Sequence, residues 1–99
     1  MVLDYKKYAD IMKVLTEPNR LMILDMLSFG ELCACDILEK LHITQPTLSH
    51  HMKILCESNL TLSKKVGKNS YYRLNPDQIE SLQQFLENIF HETSDCICK

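Results

Sequence analysis

Glycine and proline are scarce in this chain, two and three among 99 residues. That scarcity excludes linkers, low-complexity runs and internal repeats, and it leaves the prolines as local punctuation in a mainly helical chain. Long apolar runs are missing as well. No uncharged stretch approaches the roughly 18 residues of a membrane span, and the opening MVLDYKK has no apolar h-region. The expectation is a cytoplasmic protein with no membrane partner. Catalytic groupings are also lacking: there is no phosphate-binding glycine loop, no Ser-His-Asp set, and no C-x-x-C beside a βαβ pattern. The chain is expected not to be an enzyme. At 45% hydrophobic and 24% charged it should fold as one compact domain, too short for two lobes around a cleft.

Cysteine, by contrast, is plentiful. Five are present, an odd number that cannot pair completely, and in a chain without an export signal they read as thiols or thiolates rather than disulfide staples. Cys33 and Cys35 form a C-x-C pair, Cys96 and Cys98 form a second near the C-terminus, and Cys56 stands alone on the packed side of its helix, as a core thiol. Charge is unevenly spread. From His42 to Leu74 five cations (Lys53, Lys64, Lys65, Lys68, Arg73) face one acid, Glu57, a local +4 that leaves −6 for the rest of a chain of net −2. A basic middle third is the electrostatic footprint of a nucleic-acid partner.

Periodicity supplies the elements. Tyr5, Tyr8, Ala9, Met12 and Leu15 recur at three- and four-residue spacing, so residues 4–16 read as an amphipathic helix. Thr16 is the expected cap of a second helix, which starts near Pro18 and runs through RLMILDMLSF, apolar on nearly all sides and therefore expected to be central. After Gly30 a short helix reaches from about Cys35 or Asp36 to Leu41. His42-Ile43-Thr44 then connects to a helix capped by Thr44, with Pro46 in its first turn, ending near Ser58. Leu48, Met52 and Leu55 form the apolar back of that helix. Gln45, Thr47, Ser49, His50 and Lys53 are left for solvent or a ligand, while His51, adjacent to His50, must face another way and pack or cap. Leu60, Leu62 and Tyr71 to Leu74 flank Gly67-Lys68-Asn69 as a β-hairpin with a basic tip. Pro76 opens a last helix with Ile79, Leu82, Leu86 and Ile89 in one seam beside Phe85 and Phe90.

Helix, tight turn, helix and basic hairpin make the winged helix-turn-helix of DNA-binding proteins. The fold class is mainly α (α+β) with a two-stranded β-wing. Gln45, Thr47, Ser49 and His50, with Lys53 beside them, offer donors and acceptors that reach base edges or phosphates in a major groove. Lys64, Lys65, Lys68 and Arg73 on the wing would neutralise phosphates without reading sequence. A solvated polar face on an ordinary helical bundle is the bland alternative. Charge, turn spacing and hairpin coincide, and that favours double-stranded DNA as the partner. The stripe from Tyr5 to Leu15 and the seam from Ile79 to Phe90 together exceed what one small core hides, so a homodimer through the first and last helices is expected. Residues 1–92 form this domain and residues 93–99 a cysteine-containing C-terminal tail.

The stretch GELCACDILEKLHITQPTLSHHMKIL strongly resembles the ArsR/SmtB metalloregulatory repressors, and among them the repressors of arsenical-resistance operons. The similarity runs from about Ala9 to Leu74. Glu31 to Asp36 matches the family's E-L-C-x-C-D ligand motif, Gln45 to His51 its recognition-helix signature, and Lys65-Val66-Gly67-Lys68 to Tyr72-Arg73-Leu74 its wing. The resemblance implies a homodimer on an imperfectly palindromic operator that leaves the DNA when a metal or metalloid binds. The family's alternative zinc site on the last helix needs Asp-x-His, and this chain has Asp77-Gln78-Ile79 there.

Two thiolates two residues apart are a soft donor pair suited to As(III) or Sb(III) as inducer, and also to Cd²⁺, Pb²⁺ or Zn²⁺. On a formed helix such residues point about 200° apart, so both sulfurs reach one ion only if the turn is distorted. Arsenical repressors of the best-known type carry a third cysteine where this chain has Leu38, and the resemblance leads one to expect three thiolates around As(III). Cys96 or Cys98, from the same or the partner subunit, is the natural third donor. Three functions remain open on these residues: a repressor sensing As(III)/Sb(III), a repressor of the same fold sensing a soft divalent metal or thiol oxidation, and a small thiol or metal carrier without DNA.

Overall fold

The computed structural model describes residues 4–91. Cys96, Cys98 and the expected boundary between domain and tail lie outside them. The elements follow in the order α1 (Tyr5–Val14), α2 (Pro18–Leu27), β1 (Leu32–Cys33), α3 (Ala34–Leu41), α4 (Gln45–Glu57), β2 (Thr61–Val66), β3 (Asn69–Leu74) and α5 (Pro76–Ile89). This is the mainly helical winged architecture that the sequence predicts, with one addition. Besides the two strands of the hairpin, β1 joins the other edge of β3, giving a three-stranded antiparallel sheet in the order β1-β3-β2. Leu32 opposes Tyr72 and Cys33 opposes Tyr71. A two-residue strand has no period to read, so only its pairing reveals it.

Local chemistry explains most boundaries. Asp4 caps α1 through Lys7 N–H (3.0 Å). Glu17, not Thr16, caps α2: its carboxylate accepts from Arg20 N–H (3.2 Å), and the Thr16 hydroxyl instead closes α1 by donating to Lys13 O (2.7 Å). A carboxylate at a helix N-terminus gains from the exposed amides there, which is why the longer acid wins over the adjacent threonine. α4 ends in a paired cap in which Leu60 N–H reaches Leu55 O (3.1 Å) and Asn59 N–H reaches Cys56 O (3.0 Å), with Asn59 left-handed at φ 64°. Leu60 and Leu55 are both fully buried beneath it. The carbonyls left over there anchor α5, since Asn75 Nδ2 donates to Asn59 O (3.0 Å) and Gln78 Nε2 to Ser58 O (2.8 Å). The hairpin turns through Gly67 and Lys68, and φ 63° at Gly67 is what a tight two-residue hairpin demands of its first central residue.

The core gathers Ile23 and Leu27 from α2, Ile37 from α3, Leu48, Met52 and Leu55 from α4, and Leu60. Burial of this set, at roughly 25 cal/mol per Å² of apolar surface, holds the helix-turn-helix together. α2 is less central than its composition predicts. Ile23 and Leu27 are buried, but Leu21 and Met22 lie about half exposed, so only one side of the helix faces the core. α1 meets α5 through aromatics: the Tyr8 ring stacks on Phe85 at 4.3 Å, and Tyr5 meets the same ring edge-on at 6.0 Å. Among the described residues no helix is long and apolar enough to cross a membrane.

Candidate functional site

The turn between α3 and α4 is three residues long. His42 takes the left-handed conformation (φ 56°) that ends α3, and Thr44 starts α4 by accepting from Thr47 N–H (3.3 Å). Leu48, His51, Met52 and Leu55 are buried, which turns Gln45, Thr47, Ser49, His50 and Lys53 outward, all exposed. The Thr47 hydroxyl shares a hydrogen bond with the Thr44 hydroxyl (2.9 Å) and so belongs partly to the cap.

The four hairpin cations do not form one cluster. Opposed residues of an antiparallel pair share a face. The register Leu62↔Arg73, Lys64↔Tyr71 and Lys65↔Ser70 therefore puts Lys64 and Arg73 on one face and Lys65 on the other, with Lys68 at the tip. Lys64 Nζ also lies 3.4 Å from Glu31 Oε2, an ion pair that reduces the charge it can offer a phosphate. Lys65, Lys68 and Arg73 are exposed.

Cys33 and Cys35 come together. Free thiols are the expectation from the sequence, and here the structure differs: the two sulfurs are joined in a disulfide, across a Cα separation of 5.3 Å. The divergence of about 200° expected on a formed helix does not arise, because Cys33 stands outside the helix on extended backbone (φ −84°, ψ 161°) while Cys35 is in its first turn. Cys33 is also the N-cap of α3. Its sulfur accepts from Asp36 N–H (3.3 Å), and Asp36 Oδ2 accepts from Cys33 N–H (3.2 Å). The ligand atoms of Cys33, Cys35 and Asp36 lie within 4.8 Å of one another, with Cys33 buried and the other two exposed. Asp36 is the last residue of the E-L-C-x-C-D motif read from the sequence, and its place in the cap is what holds it beside the two sulfurs.

A cavity of about 260 Å³ lies between Cys35 and the exposed face, lined by Cys35 and Leu38 of α3, Gln45 and Ser49 of α4, and Lys68 and Tyr72 of the hairpin. Cys56 lies apart, half-buried, with its sulfur 3.1 Å from the Thr61 hydroxyl. His51 has the partners that the sequence leaves unnamed. Its Nδ1 is 3.2 Å from Arg20 Nη1 and its Nε2 is 3.6 Å from Glu17 Oε2. Burial holds its pKa below the usual histidine value, Glu17 pulls the other way, and the charges of Arg20 and His50 reinforce the lowering. Only the three-residue spacing of Glu17 and Arg20, which puts both on one side of a helix start, hints at this from sequence.

The profile of the bacterial regulatory protein, arsR family, matches residues 17–61. The chain is similar, at 46% identity over 97 residues, to an arsenical resistance operon repressor of Staphylococcus xylosus, an alignment covering 98% of this chain and 93% of that protein. An arsenical resistance operon repressor of Staphylococcus aureus is 44% identical over 97 residues, with the same coverage of 98% and 93%. Among solved structures, the fold is similar to that of HlyU from Vibrio cholerae N16961, with TM-score 0.75 and 24% identity, over 91% of this chain and 98% of that one.

Proposed function

The chain belongs to the arsR family of bacterial regulatory proteins, and from that premise we propose that it is a DNA-binding repressor of an arsenical-resistance operon, released from its operator when As(III) or Sb(III) binds Cys33 and Cys35. The exposed side chains of α4 enter the major groove and the wing cations meet flanking phosphates. A second copy on the face of α1 and α5 supplies the other reading helix, so the operator is an imperfect palindrome. Tyr5 and Phe90, both largely exposed at the ends of that aromatic face, support this arrangement.

One observation carries the coupling. Cys33 is at once the last residue of β1, paired to the wing strand β3 opposite Tyr71, and the N-cap of α3. A soft ion that draws its sulfur away from Asp36 N–H removes the cap of α3 and pulls on the sheet edge together, and both lead directly to the DNA-facing elements. In the reduced protein each thiol sulfur replaces one hydroxyl of the hydrated metalloid, and the displaced oxygen takes the thiol proton and leaves as water. Two thiolates leave one position of a three-thiolate site to be filled. Asp36 is held in the cap, and Leu38 has no donor, so Cys96 or Cys98 remains the candidate.

The test is a titration of As(III), Sb(III), Cd²⁺, Zn²⁺ and Pb²⁺ into the reduced protein bound to the DNA upstream of its own gene. Release by As(III) and Sb(III) at one ion per protomer is expected. Release by a divalent cation alone would shift the function to soft-metal sensing. The disulfide between Cys33 and Cys35 favours one second reading, a repressor sensing thiol oxidation through the same pair. That reading requires peroxide to free the DNA in metal-free buffer.

A further inference from the structure

The recognition helix is held by more than its apolar back. Arg20, in the first turn of α2, donates through Nε to Val14 O at the end of α1 (2.7 Å) and places Nη1 3.2 Å from His51 Nδ1. Glu17, the α2 cap, receives Arg20 N–H and lies with the same oxygen 3.6 Å from His51 Nε2. Three helices thus meet at one buried imidazole, only 7% exposed. A guanidinium can only donate, so Nδ1 must carry a lone pair and the ring proton must sit on Nε2, toward the Glu17 carboxylate.

We propose that His51, as the neutral Nε2–H tautomer between Arg20 and Glu17, is the positioning residue that sets the pose of the recognition helix, so that its protonation weakens operator binding. The inference rests on the repressor reading above. Contacts among Leu48, Met52 and Leu55 are non-directional and tolerate small rotations of α4. A hydrogen bond to a guanidinium that is itself fixed on α1 does not. His51 directly follows His50 and lies two residues from Ser49, on the same rigid helix, so its position is passed to the exposed face without a hinge. A second proton on Nδ1 removes the acceptor and sets a cation against Arg20. The charged and titratable groups acting on the ring are Glu17 and Arg20 from α2 and His50 from its own helix, and of these only Glu17 favours the proton. Ordinary burial of the ring disfavours it further.

The experiment measures affinity of the full, reduced, metal-free chain for its upstream duplex across about pH 7.5 to 5.5, for wild type, His51→Ala and His51→Asn. The alanine variant should bind about tenfold more weakly at neutral pH, as for loss of one hydrogen bond that sets geometry, and asparagine, whose Oδ1 can accept from Arg20, should recover most of that loss. Wild type should then lose affinity in acid while the asparagine variant does so at least about threefold less. His50 is present in both proteins, so the comparison isolates the change at position 51. Parallel pH profiles for wild type and His51→Asn would overturn the inference while leaving the repressor reading intact. Failure of wild type to bind the duplex at any pH would overturn both. An independent check needs no variant: ¹⁵N spectra of the imidazole should show a protonated Nε2 and an unprotonated Nδ1 near neutral pH, and the reverse tautomer would overturn the proposal.

Discussion

Cys33 and Asp36 cap each other: the sulfur of one accepts the N–H of the other (3.3 Å), and the carboxylate returns the bond (3.2 Å). A residue read from its spacing as a metal ligand is therefore also the structural start of α3. Asp36→Ala removes one half of this pair and leaves the Cys33 N–H without its acceptor. Urea denaturation should show a loss of about 1 kcal/mol, and Asp36→Asn, which keeps an acceptor, a smaller one.

The two roles of Cys33 separate by choice of substitution. Serine is a good N-cap and a poor soft donor, so Cys33→Ser and Cys35→Ser should each abolish release by As(III) and leave operator affinity unchanged. Cys33→Ala should lose induction and also about 1 kcal/mol of stability in urea. Weakened DNA binding by the metal-free double serine variant would assign the pair a structural role instead.

On the DNA side, Ser49→Ala or His50→Ala should cost about 1–3 kcal/mol of specific binding and relax base preference at the contacted position. Lys68→Ala, at the exposed hairpin tip, should weaken binding to all sequences and lower the salt slope by about one. Lys64→Ala should do so less, because Glu31 already faces its ammonium at 3.4 Å. Fluorescence anisotropy at several salt concentrations measures all four variants.

The third thiolate is tested by ending the chain at Asp95. Repression should persist and the response to As(III) should weaken, with X-ray absorption showing about three sulfur neighbours in the full chain and about two in the shortened one. Unchanged coordination and induction would mean that Cys33 and Cys35 suffice with an exogenous ligand.

Stability should follow His51 as well. Its pKa is lower in the folded protein than in the unfolded chain, so the unfolded state binds the extra proton first. The contribution of the neutral ring is complete above about pH 6.5 and is lost as the pH falls from there through the folded value. Thermal melts between pH 7.5 and 5 should fall more steeply for wild type than for His51→Asn.

The five helices, the hairpin, its basic tip and the exposed face of α4 were legible in the sequence because each is written in a short-range period or a single cap or turn residue. The spacing of Leu48, Met52 and Leu55 shows which face of α4 is buried, and Pro46, Gly67 and Pro76 mark their turns and helix starts. Tertiary structure decided everything that depends on a partner far along the chain. β1 exists only because β3 lies beside it, some forty residues later, and that pairing takes Cys33 off the helix and lets its sulfur meet that of Cys35. Glu31 finds Lys64, and Arg20 finds His51 thirty-one residues away, across gaps that no local pattern spans. Periodicity records which face of an element is buried, but not what it is buried against, and the choice of polar partner is made only when the elements pack.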